Sequence, residues 1–269
     1  MTSIETKAFV MRSFPWKERH RLVHLLTPEL GLITALAPAV ASLRSKLSGV
    51  TQLFSLSELT LSEKQSRYTI KSGSVIESFI SISEDLDRLA AASHAAEVFS
   101  DVARHDEPER FVFDLWAYTI YEISVSDTPI FVARMGVMRL MEAIGLGPYV
   151  DGCVRCRTPL RPPLRLSIDD GGLICDRESE NPRFARPIDV LPGTVELLRH
   201  VATAPLRRLY RFHVSDEVRQ EASMIADRWV ESKLEKQYRP LDWVEEIPDW
   251  AVIAPKSKEA SHGDLSESV

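Results

Sequence analysis

The chain has 269 residues, of which 44% are apolar, so it is long enough for one large domain or two smaller ones. No stretch approaches the roughly 18 apolar residues of a membrane span, and the amino terminus lacks the continuous apolar run of a signal peptide, so we expect a cytoplasmic protein. The net charge of −6 argues against a nucleic-acid-binding protein if the chain is taken as a whole.

The charge is unevenly distributed along the chain. Residues 1–80 contain 10 Lys and Arg against 6 Asp and Glu, a net charge of +4, whereas residues 81–150 contain 5 against 12, a net charge of −7. Residues 151–187 and 188–269 carry net charges of +1 and −4. Proteins that contact a phosphate backbone with one domain often join a basic segment to acidic ones.

The basic segment has the pattern of an all-β domain. Short runs of alternating apolar and polar residues are separated by turns, with no long helical period. Tyr68 and Ile70, for example, alternate with polar residues and would point into a small barrel. Five strands in about 75 residues predict an OB-like barrel. The predicted strands are Ile4–Arg12, Arg21–Thr27, Leu32–Ala37, Val50–Leu61 and Arg67–Val75.

The predicted first loop of the barrel, residues 13–21, mixes aromatic and cationic side chains. Trp16 could stack on a nucleic-acid base while Lys17, Arg19 and Arg21 meet phosphates, which is the chemistry that single strands require. Two alternatives stay open: Trp16 could close the barrel end against the helical domain, and the three cations could be ordinary solvated charge.

A second basic cluster lies in the connection Ala39–Leu47, which is rich in small and hydroxyl residues. Small residues let a backbone approach phosphates, and Arg44 and Lys46 would supply charge; the alternative is a mobile surface loop with incidental cations. Arg67 and Lys71, on the outer face of the last predicted strand, complete the predicted DNA-binding set.

The remainder of the chain has the period of helices. Ser83 is the expected N-cap of the first helix, and Gly145 is the expected stop of the third. The predicted helices are 86–102, Phe111–Ile123, Ile130–Ile144, Gly193–Ala204 and Ser215–Lys236.

The sequence thus predicts an α+β protein, with a five-stranded OB-fold barrel followed by an all-helical domain that carries an inserted zinc-finger-like motif. The predicted units are the barrel (1–80), the helical domain (81–240) with the finger at 150–187, and a polar, disordered tail (241–269).

All three cysteines lie in the predicted finger. Cys153 and Cys156 form a Cys-x2-Cys turn, and Cys175 would begin a second pair, but Glu178 stands where its partner would be. A fourth zinc ligand would have to be Glu178, Asp176, Glu180, a distant histidine or water. Bound zinc, a finger that keeps its shape without metal, and unrelated thiols are the three interpretations left open.

Catalytic motifs are sparse. Nucleotide-binding glycine loops, the His-Glu-x-x-His zinc motif and the Gly-x-Ser-x-Gly serine elbow are absent from the sequence. The run His105-Asp106-Glu107, taken with the Cys-x2-Cys turn, partly matches the zinc deaminase pattern, although Gly152 replaces the proline of that pattern. We therefore predict no catalytic residues.

Several runs, taken in order, resemble the RecO family of bacterial recombination mediators over residues 5–236. The runs are Phe9–Ser13, Glu18–Gly31, Ser42–Leu47 and Arg139–Gly145, followed by Pro148 and the finger. The chain departs from the family pattern at His20, at Val40 and in the cysteine missing after Cys175.

This resemblance implies a non-enzymatic DNA repair and recombination protein, located in the bacterial cytoplasm with the nucleoid. Such a protein would bind single- and double-stranded DNA through its barrel and anneal complementary strands. It would contact the single-strand-binding protein and work with RecR to load RecA, in a RecF-type pathway. Arg134 and Arg139 are the candidates for a pocket that receives the acidic, apolar tail of the single-strand-binding protein. The alternative is that they form salt bridges within the acidic bundle.

Two other function classes stay open at this point. One is an enzyme with a catalytic zinc at Cys153, Cys156 and Cys175, in which Glu107 would move protons. The other is a zinc-finger adaptor of transcription or translation, which would bind a protein partner without annealing DNA.

Overall fold

The computed structural model describes residues 2–40, 45–105, 107–179 and 187–238. It contains an amino-terminal barrel, a set of helices and a small three-stranded sheet. The predicted α+β class and barrel are therefore confirmed. Arg44 and the predicted disordered tail lie outside the described ranges.

The strands of the barrel are β1 (Thr2–Trp16), β2 (His20–Thr27), β3 (Gly31–Ala37), β4 (Leu56–Lys64) and β5 (Arg67–Glu77). They close in the order β1-β2-β3-β5-β4, and all neighbours are antiparallel except β3 and β5. Alternate side chains such as Val10, Leu25 and Ile70 fill the interior, as the period of two requires.

Two details of the predicted barrel are wrong. Residues 13–16 are not loop, because β1 continues to Trp16, which pairs with His20 across a tight hairpin. The first part of the predicted fourth strand is instead a 3₁₀ turn at Gly49–Thr51. There the Thr51 hydroxyl donates to the carbonyls of residues 47 and 48, a local bond that competes with strand pairing.

The helices are α1 (Ile80–Ser83), α2 (Leu86–Val102), α3 (Arg110–Val125), α4 (Pro129–Ala143), α5 (Asp176–Ser179), α6 (Pro192–Thr203) and α7 (Asp216–Leu234). The expected cap at Ser83 is wrong: Ser83 ends α1, and the Asp85 carboxylate caps α2 by accepting from the amide of Arg88 at 3.0 Å. Gly145 follows α4 with φ +76°, the left-handed conformation expected of a helix stop. No helix within these described ranges is both long and apolar enough to cross a membrane.

The predicted finger (150–187) contains the strands β6 (Leu164–Ser167) and β7 (Gly172–Ile174). A third strand, β8 (Ile188–Val190), follows directly after it, and the three pair in the order β7-β6-β8. Leu166 and Leu173 of this sheet belong to the same buried cluster as the helices. The finger is therefore fixed to the helical core by apolar packing.

One apolar core joins the barrel to the helices. Phe9 of β1 lies 5.1 Å from Phe113 and 6.4 Å from Trp116 between ring centroids, and Trp116 is fully buried. A bulge at Met11, where Val10 pairs with Leu25 but Arg12 pairs with His24, changes which face of β1 points at the helices. The bulge places the second half of β1 alongside α2.

Candidate nucleic-acid interface and cysteine cluster

Most of the cations predicted from the sequence gather at one end of the barrel, which we call the basic rim (the β1–β2 hairpin, residues 38–40 and residues 45–48). Lys17 and Arg19 are exposed at the hairpin tip. The hairpin is tied to the connection after β3 because the amide of Ala39 donates to Nδ1 of His20 at 3.0 Å. Lys46 is exposed on the far side of that connection.

A groove of about 960 Å³ runs from the rim between the barrel and α2. We call it the rim groove, and its lining residues are Met11, Arg12, Ser13, Phe14, Arg21, Val40, Ser48, Gly49, Thr51, Gln52, Leu53, Phe54, Ser93, Ala96 and Glu97. Its volume is in the range of natural ligand sites. The wall from the barrel is cationic and apolar, whereas Glu97 provides the one carboxylate among these lining residues.

Two guanidinium groups stand at the groove. Nε of Arg21 donates to the Ser13 hydroxyl at 2.7 Å, and Nη2 donates to the Ser13 carbonyl at 3.1 Å, so this side chain is held in place by its neighbouring strand. Arg12 lies 3.8 Å from Glu97 and keeps 36% of its side chain exposed. Neither guanidinium is neutralised by a close bidentate carboxylate in these contacts, so both can attract an anion.

Two aromatic side chains of β1 are exposed at the rim. Trp16 is 47% exposed and Phe14 is 44% exposed. Phe14 packs edge-on against His24 at 5.4 Å. Burial lowers the pKa of His24, with further lowering by the charges of Arg12 and His105, so the imidazole is neutral at pH 7. Rings beside cations at an accessible edge are what single-stranded nucleic acid recognition requires.

Other predicted DNA-binding residues are placed differently. Arg67 is exposed beside Lys64 at the β4–β5 turn, away from the hairpin tip. Lys71 is exposed on the outer face of β5. It lies two residues after Thr69, which pairs with Leu36 of β3.

Sequence reasoning missed two residues of the groove. Arg12 and Phe14 were read as the end of a strand and part of a loop, yet both line the rim groove. The signal available was their alternation with Trp16 along one strand, since residues 12, 14 and 16 share a face.

Arg134 and Arg139 were predicted to line one pocket, but the structure places them in two separate cavities. Arg134 makes a bidentate ion pair with Asp227 of α7, with N–O distances of 2.8 and 2.7 Å, and lies in a cavity of about 660 Å³ between α4 and α7. Its side chain is only 11% exposed. This pair fixes α7 on α4, the salt-bridging role that an arginine in an acidic bundle can have.

Arg139 lies in a separate cavity of about 870 Å³. Its lining includes apolar Phe111, Val112, Ile144 and Leu234 and the carboxylates of Asp101, Glu109 and Glu142. Its guanidinium lies over the Phe111 ring at 5.5 Å from the centroid, and its buried Nε has no hydrogen-bond partner within the described part of the chain. Burial lowers the pKa of Arg139, opposed by the charge of Glu142.

The three cysteines do form a cluster. The sulfur atoms of Cys153, Cys156 and Cys175 lie within 4.8 Å of one another, with 3.7 Å between Cys156 and Cys175. The turn is closed by the amide of Cys153 donating to the Thr158 carbonyl at 2.9 Å. The amide of Val154 donates to the Leu173 carbonyl at 2.7 Å, which brings the turn against β7.

This geometry fits zinc at three of its four ligand positions. Tetrahedral zinc with Zn–S bonds of about 2.3 Å requires sulfurs about 3.8 Å apart. Among the residues that the structure describes, no His, Asp or Glu joins the three thiols, and this includes Asp176 and Glu178. Asp176 instead pairs with Arg165 at 3.0 Å, and Glu180 lies outside the described residues.

The thiols differ in their ionisation. Hydrogen bonds from Thr158, whose hydroxyl lies 3.0 Å from the Cys156 sulfur, lower the pKa of Cys156 to about 7. Burial raises the pKa of Cys175. A thiolate is the form that binds zinc, so Cys156 is the most readily available ligand.

The residues of the partial deaminase motif are separated from this cluster. Nδ1 of His105 lies 2.9 Å from the Leu32 carbonyl at the junction of barrel and helices, and Glu107 pairs with Arg104 at 3.2 Å. Within the ranges described, neither residue belongs to the cysteine cluster. The arrangement does not place a proton-carrying glutamate beside the three thiols.

Comparison with known proteins gives matches along almost the whole chain. The family model described as recombination protein O N terminal matches residues 1–79, and the model described as recombination protein O C terminal matches residues 83–242. The DNA repair protein RecO of Acetivibrio thermocellus is 28% identical over 248 residues, which cover 92% of this chain and 98% of that protein.

Two further relatives extend the comparison. The DNA repair protein RecO of Dehalococcoides mccartyi is 28% identical over 244 residues, covering 90% of this chain and 95% of that protein. That of Bacillus subtilis is 27% identical over 225 residues, covering 84% and 87%. With both terminal family models matched in order, this chain belongs to the RecO family of DNA repair proteins.

Proposed function

We propose that this chain is a recombination mediator that binds single- and double-stranded DNA at the basic rim and anneals complementary strands. It would help to load the recombinase onto DNA coated with single-strand-binding protein, in a RecF-type pathway with RecR and RecA, at the nucleoid. The observation that carries the proposal is the rim groove, which is lined by Arg12, Arg21 and the exposed ring of Phe14, next to the hairpin that carries the exposed ring of Trp16.

The electrostatic part of the proposal rests on the local charge of the rim. Lys17, Arg19, Arg21 and Lys46 gather there although the chain carries −6 overall. Cations that neutralise phosphates release counterions, so each contact contributes a salt slope of about 0.7 on single strands. The acidic helical part would repel the backbone and confine DNA to the rim.

The stacking part rests on the exposed rings. Base stacking on an aromatic side chain contributes about 1–3 kcal/mol per base and does not depend on the base. A protein that holds bases this way can present an unpaired strand to its complement, which annealing requires.

We assign the tail of the single-strand-binding protein to the Arg139 cavity. Arg134 is engaged by Asp227, whereas the Arg139 guanidinium lies over the Phe111 ring in a cavity also lined by Ile144 and Leu234. An acidic peptide with an apolar end would place its carboxylate on this guanidinium and its apolar end on the neighbouring apolar side chains.

The proposed role is non-enzymatic, and the cysteine cluster has a structural part in it. Cys153, Cys156 and Cys175 would hold zinc, which would pin the Cys-x2-Cys turn to β7. RecR and RecA are proposed partners through the family alone.

Annealing of two dye-labelled complementary oligonucleotides, measured at several salt concentrations without nucleotide, tests the proposal. We expect salt-sensitive acceleration that Trp16→Ala weakens, with a loss in binding of about 1–3 kcal/mol. Tyr121→Ala is the matched control, because Tyr121 is 58% exposed on α3, away from the rim. Absence of acceleration at low salt, or equal loss in both variants, would refute the proposal.

A further inference from the structure

The described chain ends beside the rim groove. After α7, Nζ of Lys236 lies 2.9 Å from Glu97 and 2.6 Å from Asp101 of α2, and the Tyr238 hydroxyl donates to Asp101 at 3.0 Å. Tyr238 is buried against His94. Glu97 also lines the rim groove and lies 3.8 Å from Arg12.

These contacts form a continuous path from the end of α7 to the groove. Lys236 and Arg12 both lie near the same oxygen of Glu97, at 2.9 and 3.8 Å, so the negative charge of Glu97 is offset by two cations. The chain that follows Tyr238 therefore starts within a few side chains of a groove whose other charged side chains, among the residues described, are Arg12 and Arg21.

The sequence that follows has the chemistry of the proposed ligand. Residues 241–253 carry four carboxylates, no Lys or Arg and two tryptophans; these are Asp242, Glu245, Glu246, Asp249, Trp243 and Trp250. Carboxylates can take the place of phosphates on guanidinium groups, and indole rings can take the place of bases on aromatic platforms. A residue spans at most about 3.4 Å, so Asp242 is within about 14 Å of Tyr238.

We propose that residues 241–253 dock in the rim groove of the same chain and compete with single-stranded DNA. The segment would act as a tethered mimic of a nucleic-acid strand, with its carboxylates on Arg12 and Arg21 and its indoles beside Phe14 and Trp16. This inference rests on the proposed DNA site and adds to it an intramolecular competitor.

The strength of the competition follows from the tether. A short flexible connection gives an effective concentration of about 1 mM, so a segment with an intrinsic Kd of about 0.1–0.3 mM would weaken DNA binding about 4- to 11-fold. DNA with several contacts displaces such a segment, so the competition tunes affinity and does not block the site.

The test uses the full chain and two charge-matched variants. Glu245→Gln, Glu246→Gln and Asp249→Asn together remove three of the four carboxylates of the acidic segment. Glu259→Gln, Asp264→Asn and Glu267→Gln remove the same number of Glu and Asp further along the tail, where there is no tryptophan. The probe is a labelled oligo-dT of about 16 nucleotides, the upper site size of one OB fold. We expect the first variant to bind it about 4- to 11-fold more tightly than the wild type and the second to be unchanged.

Equal affinity of all three chains would overturn the inference while leaving the DNA site in place. Equal gains in both variants would also overturn it, because they would reflect net charge alone. If no chain binds the probe, the proposed DNA-binding function is refuted. Docking is then tested separately, by adding a labelled peptide of residues 239–253 to the first variant, in which three carboxylates of the acidic segment are removed. Its binding should be lost with Arg12→Gln and Arg21→Gln; loss with Arg139→Gln instead would place the segment in the other cavity and refute the inference.

Discussion

His94 shows how one buried residue links this fold to pH. It lies on α2 with 5% of its surface exposed, edge-on to Tyr238 at 5.9 Å. Burial, with a smaller effect from the Arg134 charge, lowers its pKa to about 4. The neutral imidazole is the form that the fold accommodates, a property that the sequence could not reveal because a lone histidine on a helix has no burial signal of its own.

A pH dependence of stability follows from this residue. The pKa in the unfolded chain is about 6.5, so the contribution is complete above that pH and is lost as the pH falls towards 4, at a cost of about 3 kcal/mol. We expect urea unfolding at pH 7 and pH 4 to show a smaller loss in His94→Phe than in the wild type. His213→Phe, an exposed position, is the control, and an identical loss in all three chains would contradict the assignment.

The tertiary contacts of the groove residues could not be predicted from the sequence either. The cationic character of Lys17, Arg19 and Arg21 was readable from the chain, but the contact of Arg12 with Glu97 joins residues 85 positions apart. Sequence patterns describe neighbours along a strand or helix and give no information on which helix a strand faces. The separation of Arg134 and Arg139 into two cavities was missed for this reason.

At the scale of elements, alternation and helical period predicted most strands and helices. The wrongly predicted element boundaries occur where a local side-chain hydrogen bond outweighs the periodicity of apolar residues. The Thr51 hydroxyl closes a 3₁₀ turn in place of a strand, and the Asp85 carboxylate caps α2 in place of Ser83. Such competition between side chain and backbone is decided by geometry that composition does not encode.

The turn between β2 and β3 positions the barrel on the helices. Gly31 has φ +62°, and a Cβ there would lie within 2.5 Å of the Arg104 carbonyl, to which the neighbouring amide of Leu32 donates at 2.9 Å. We expect Gly31→Ala to lower the free energy of unfolding by about 3 kcal/mol, combining backbone strain with this clash. Gly145→Ala is the control, because Gly145 also has a positive φ of +76° but a Cβ there would meet no described atom within 4 Å. We expect this variant to lose about 1 kcal/mol of unfolding free energy. Equal losses in denaturant unfolding would show that the clash is relieved.

The cysteine turn is the second element with a testable property. We expect native mass spectrometry of the zinc-loaded protein to show one zinc ion per chain, which Cys156→Ser should lose because it removes one of only three thiol ligands. Thr158→Val removes the hydroxyl beside the Cys156 sulfur without removing a thiol and should keep the ion. Zinc bound equally well by Cys156→Ser would rule out the cluster as the metal site.

At the scale of the molecule, the barrel and the helices act as one body around the rim groove. Phe9, Phe113 and Trp116 belong to a single buried cluster, so the barrel face is fixed against the helical part. One wall of the groove is barrel and the other is α2, and neither makes it alone. The sequence predicted the basic barrel and the acidic helices, but the groove arises only from their packing.

The salt dependence of single-stranded DNA binding tests the central claim most directly. Arg21→Gln, Arg44→Gln and Lys46→Gln together should weaken binding to all sequences alike and reduce the slope of log K against log salt by about 2, three phosphates at about 0.7 each. The matched control is Lys7→Gln, Arg110→Gln and Arg219→Gln, two arginines and one lysine away from the rim groove, which should leave the slope unchanged. A slope that is unchanged in the rim variant, or reduced equally in both, would contradict the assignment of DNA to the basic rim.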